Sequence, residues 1–87
     1  MDALMVDGNA IAGLLQEIFG TDMTTAVGTC AKCGSSEQVG AIHVFRGAGT
    51  VLRCAHCDNA LVKIVKSETS IWIALGGMRS LEIERAD

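Results

Sequence analysis

Cys30-Ala31-Lys32-Cys33-Gly34 and Cys54-Ala55-His56-Cys57-Asp58 are two Cys-x-x-Cys pairs with 20 residues between them. Two residues between cysteines let the chain turn so that both thiolates point at one ion. Two such pairs at this spacing make a recognised tetrahedral metal-binding pattern. The residue after each second cysteine often needs a left-handed backbone, which Gly34 adopts without strain and Asp58-Asn59 tolerate. The predicted ligands are Cys30, Cys33, Cys54 and Cys57. Four thiolates close the coordination sphere and leave no position for a reacting water, so the metal is expected to be structural. With Zn²⁺ the site would carry −2, taking the formal charge from −3 to −5.

These knuckles resemble the zinc ribbon class, in which two such turns sit at the ends of β-hairpins. The resemblance implies Zn²⁺ as the cofactor and a small antiparallel sheet around it. Rubredoxin-type iron sites use similar knuckles, but that family surrounds its iron with aromatics. This chain has only Phe19, Phe45 and Trp72, so iron is the less favoured metal. A thioredoxin-like redox site would need a βαβ setting and a cis-proline, and a zinc deaminase a Pro-Cys-x-x-Cys element. The chain has no proline at all. His56 lies inside the second knuckle and is expected at its exposed tip rather than on the metal. His43, between Ile42 and Val44, reads as a partly buried strand residue.

The elements that position the cysteines come from periodicity. Ile11, Leu14, Leu15, Ile18 and Phe19 fill the i, i+3, i+4, i+7, i+8 stripe of an amphipathic helix. Asp7 is its predicted N-cap, Val6 and Ile11 a hydrophobic staple, and Gly20 its stop signal. Strands are predicted over Val39–Phe45 and Thr50–Arg53, joined by Arg46-Gly47-Ala48-Gly49, so that one hairpin fills the interval between the knuckles. A second hairpin pairs Ala60–Lys66 with Ser70–Leu75. Arg79–Glu84 alternates as an edge strand with one wet face. The fold expected is α+β: an N-terminal helix packed on a small antiparallel zinc-ribbon sheet. It forms one domain over 1–87, with helix and linker in 1–29 and the sheet in 30–87.

Composition bounds what such a domain could do. Of 87 residues 49 % are hydrophobic and 20 % charged, which excludes a disordered tail. Val, Ile, Leu, Met, Phe and Trp number 28, while a domain this small buries only about 60–65 % of its unfolded surface. Some of those side chains are therefore expected to face a partner or a second copy. Trp72 is the best candidate: alternation along Ile71-Trp72-Ile73-Ala74-Leu75 sends Ile71, Ile73 and Leu75 to one face and Trp72 to the other. Either the helix covers Trp72 within the monomer, or it anchors an interface.

Seven basic residues against ten acidic, with a pI near 5.2, argue against a general nucleic-acid binder. The candidates would be Arg46, Arg53, Lys63, Lys66 and Arg79, but Lys63 and Lys66 point to opposite faces of a strand. Elongation-factor ribbons carry acidic residues at the hairpin tip, and Arg46-Gly47-Ala48-Gly49 departs from that pattern. No stretch approaches the roughly 18 apolar residues of a membrane span. No Lys or Arg precedes Lys32, so a basic leader region is lacking. A cytoplasmic, reducing compartment is the expectation, where paired cysteines bind metal rather than form disulfides.

The layout also resembles a family of small bacterial zinc-ribbon proteins, mainly from actinobacteria. The matching residues are Asp7-Gly8-Asn9-Ala10, Glu17-Ile18-Phe19, Cys30-x-x-Cys33-Gly34 and Arg53-Cys54-x-x-Cys57-Asp58. That resemblance implies the fold and a stand-alone domain, and brings no activity. The expected function is a non-enzymatic zinc-stabilised module for protein interaction or self-association. A nucleic-acid-associated regulator is the alternative, and a zinc enzyme a distant third.

Overall fold

Asp7 both ends a strand and starts the helical segment, as its side chain and its neighbours dictate. In the computed structural model, which describes residues 5–83, β1 (Met5–Asp7) leads into a 3₁₀ turn over Gly8–Ile11 and then α1 (Ala12–Phe19). Asp7 Oδ1 accepts the Ala10 N–H at 3.3 Å, and Gly20 closes α1 with φ 78°. Both caps are those expected, but the first turn is the tighter 3₁₀ form. Ile11 and Leu15 are fully buried, whereas Leu14, Ile18 and Phe19 are half-buried against the core.

The remaining elements are strands. They are β2 (Val27–Cys30), β3 (Ser36–Gln38), β4 (His43–Arg46), β5 (Thr50–Arg53), β6 (Ala60–Lys66), β7 (Ile71–Ala74) and β8 (Met78–Glu82). They form two antiparallel sheets rather than one: β1-β4-β5-β6-β7 and β3-β2-β8. Residues 1–29, expected to be helix and linker, therefore contain two strands, and β2 crosses the division placed at 29/30. The N-terminal residues 1–4, within the first of those regions, lie outside the described residues.

Val39–Ala41 is not the start of a strand but a second 3₁₀ turn. It is folded there by its neighbours: the Val39 N–H donates to Ala26 O and the Gly40 N–H to Thr24 O, both at 2.8 Å. Gly8 lies against the same turn so closely that a Cβ on it would stand 1.8 Å from Val39 O. The interval between knuckles is thus β3, a turn, and the β4–β5 hairpin. The core gathers Ile11 and Leu15 with Ile42, Val44, Leu52, Leu61 and Ile64. Leu15, Phe19, Leu52, Val62, Met78 and Leu81, from α1 and both sheets, line one small apolar void.

Candidate metal centre

Each knuckle grows out of the last residues of a strand, and each does so past an irregularity. Between Thr29 and Cys30 the pairing of β2 with β8 shifts by one residue, and between Leu52 and Arg53 the pairing of β5 with β6 does the same. Such bulges bend a strand and re-aim the residues beyond it. The two turns then repeat each other bond for bond. The Gly34 N–H donates to Cys30 O at 3.0 Å and the Asp58 N–H to Cys54 O at 2.9 Å. The Cys30 N–H donates to Ser35 O and the Cys54 N–H to Asn59 O, both at 2.9 Å. Gly34 takes φ 78° and Asp58 φ 67°, the left-handed positions expected from the sequence.

One knuckle joins β2 to β3 and the other joins β5 to β6, so the cysteines come from different sheets. Their four sulfurs lie within 4.8 Å of one another. Cys30 Sγ stands 3.6 Å from Cys57 Sγ, and Cys33 Sγ 3.7 Å from Cys54 Sγ. An ion held tetrahedrally at about 2.3 Å requires sulfurs about 3.8 Å apart. The donor set and its spacing fit such an ion. All four residues are free of disulfides; Cys30 and Cys54 are buried and Cys33 is exposed.

Backbone dipoles converge on the sulfurs. The Lys32 and Cys33 N–H groups approach Cys30 Sγ at 3.4 and 3.5 Å, and the His56 N–H approaches Cys54 Sγ at 3.4 Å. The Cys33 N–H, foremost, holds the Cys30 thiol down at about 6, with help from Lys32, Cys57 and Asn59 against the cost of burial. The Ser35 hydroxyl and N–H lower Cys33 as well. The Asn59 N–H pulls Cys57 down, but loss of water and the three other thiols outweigh it and push that thiol up to about 12. The metal-free cluster thus surrenders a proton at Cys30 and keeps one at Cys57.

Two residues at the centre carry no sequence signal strong enough to single them out. Asn59 Nδ2 reaches Cys30 Sγ at 3.6 Å and Gly77 O at 3.3 Å, joining the second knuckle to the first. Gly77 O also accepts the Ala31 N–H at 2.9 Å, and a Cβ on Gly77 would stand 1.8 Å from Ala60 O. Only a faint signal exists: Asn59 directly succeeds the left-handed Asp58, and Gly76-Gly77 reads merely as punctuation. His56 is exposed as expected and is not one of the residues gathered in the cysteine cluster. Its Nε2 lies 3.4 Å from Glu37 Oε2 of β3, a surface contact between the second knuckle and the smaller sheet. His43 is half-buried in β4.

The nucleic-acid candidates do not form one face. Lys66 Nζ is bound to both carboxylate oxygens of Glu17 at 3.0 Å, and Arg53 stacks over Phe45, 5.6 Å from the ring centre. Lys63 lies on the opposite side of β6, paired with Ala74. No described helix is long and apolar enough to cross a membrane. No curated protein and no solved structure matches the chain. A family model matches residues 2–86, nearly the whole length, and on that match the chain belongs to the family of unknown function DUF6510.

Proposed function

We propose that this protein is a non-enzymatic, zinc-stabilised module that binds a protein partner or a second copy of itself through the surface around Trp72. Zinc is the reading for the metal because four thiolates with no open position match its structural sites. The observation that carries the binding role is the placement of Trp72. It lies on β7, the end strand of the larger sheet, and is 56 % exposed. Ile71 and Ile73 turn toward the core, while Val65, its direct partner across the strands, is 45 % exposed. A bare tryptophan paired with a bare valine on an uncharged end strand is poorly protected against pairing with another chain.

Sedimentation of the zinc-loaded protein at micromolar concentration, with and without lysate-derived partners, tests this. Trp72→Ala is expected to weaken association by about 2 kcal/mol or more, as truncated aromatic anchors do, with metal content unchanged. Association that survives Trp72→Ala undiminished would refute the reading.

A further inference from the structure

On the side of the larger sheet opposite Trp72, a cleft of about 370 Å³ opens between α1 and the β4–β5 loop. That volume lies at the small end of ligand sites, which run from about 300 to 1,000 Å³. The charged groups that line the cleft are Arg46, Lys66 and Glu17. Arg46 stands at its rim and enters neither ion pair of the described residues. Lys66 lies across from it, held by Glu17. The loop between them is Gly47-Ala48-Gly49, which has no side chain larger than a methyl to keep a ligand off the backbone.

Thr50 is the independent observation. It is the one buried polar side chain of the described residues, at 9 % exposure, and it lines this cleft. Its hydroxyl enters no hydrogen bond among the described side chains, and no side-chain oxygen is sealed away unpartnered. The hydroxyl is therefore not sealed from solvent, and the cleft is the opening that Thr50 lines. A protein that carries −3 overall has here gathered, among the described residues, a guanidinium outside any ion pair, an ammonium paired with the Glu17 carboxylate, and a hydroxyl without a side-chain partner.

We infer that the cleft between α1 and the Gly47–Gly49 loop is a binding site for a small phosphorylated molecule, seated by Arg46, Lys66 and the Thr50 hydroxyl. Phosphate fits because several oxygens can each take one of these separated donors, and Arg pairs with it in two-pronged fashion. Glu17 occupies Lys66 until the anion arrives. It is then a competitor for the same ammonium, and its own charge repels the ligand. The cleft is too small for a nucleic-acid strand, and none of its lining residues is an aromatic on which a base could stack. This inference is independent of the Trp72 surface.

The test is an amide-resolved NMR titration of the zinc-loaded protein with inorganic phosphate and with glycerol 3-phosphate, at constant ionic strength. Saturable shifts are expected at Gly47, Ala48, Gly49, Thr50 and Lys66. Arg46→Ala should weaken binding by about tenfold or more, the loss of a charge-assisted contact. Glu17→Gln should tighten it several-fold, a gain that a purely structural tether between α1 and β6 would not produce. Shifts that never saturate, or that appear equally at Lys63 and Arg79, would overturn the site. So would Glu17→Gln binding no tighter than wild type. Acetate binding as tightly as phosphate, or a single-stranded oligonucleotide binding more tightly than glycerol 3-phosphate, would overturn the ligand class.

Discussion

Removing the metal should release the smaller sheet before the larger one. Of the twelve residues in β2, β3 and β8, only Gly28 and Cys30 are buried. Gly28 has no side chain and Cys30 belongs to the cysteine cluster, so the apolar hold of this sheet on the core rests on the half-buried Met78 and Leu81. Zinc binding to such sites contributes about 10–16 kcal/mol, whereas a chain of this length has a net stability of about 4–13 kcal/mol. Opening the smaller sheet frees one knuckle, two of the four sulfurs, and so forfeits roughly half the binding, about 5–8 kcal/mol. At about 1.4 kcal/mol per factor of ten, amides of Val27–Cys30 and Met78–Glu82 should lose roughly four to six orders of magnitude of protection on chelation. The amides of β5 and β6, set in the main core, should lose less at first. Hydrogen exchange read by mass spectrometry, before and after verified metal removal, measures this directly. Metal-free protein whose β2 and β8 amides stay within tenfold of their former protection would refute the reasoning.

Three further outcomes are expected. Metal affinity should fall as pH falls, because binding must expel the proton held on Cys57, pushed up to about 12. The dependence should steepen below about 6, where Cys30 takes a proton too; calorimetry in buffers of different ionisation heat counts those protons. His56→Ala should retain full metal stoichiometry by elemental analysis and cost under about 1 kcal/mol in a melt, the worth of an exposed contact with Glu37. Gly77→Ala should destabilise by about 3 kcal/mol or more, because its Cβ would stand 1.8 Å from backbone Ala60 O, which cannot step aside as a side chain can.

The parts of this molecule that a sequence discloses are those decided locally. Cysteine spacing, the left-handed position after each knuckle, the Asp7 cap and the Gly20 stop all depend on neighbours within a few residues. The limits of β6, Ala60–Lys66, are the same in sequence and structure, because that run carries its own hydrophobic weight. β3 is Ser36-Glu37-Gln38, wholly polar, and no periodicity announces it. It is a strand because β2 lies beside it. β2 in turn pairs with β8, some fifty residues later, a choice made by tertiary contact. Val39–Ala41 resembles strand in sequence for the converse reason: its apolar residues suit a sheet, but Thr24 O, Ala26 O and Gly8 bend it into a turn. Alternation places Leu75 on the core face with Ile71 and Ile73, yet it is 46 % exposed because β7 ends at Ala74.

The pairing of β2 with β8 also orders events in time. During synthesis all four cysteines have been made before the first residue of β8 exists, and β4, β5 and β6 are sequential neighbours that can assemble as they emerge. An ion can therefore be captured while β2 still has only β3 beside it. The arrival of Met78–Glu82 is the step that completes the second sheet, and with it Gly77 settles between the knuckles. A shortened chain ending before Met78 would keep every ligand and could still load its metal. Stoichiometric metal would then mark a chain that has begun to fold, and only protection of the β8 amides would mark one that has finished.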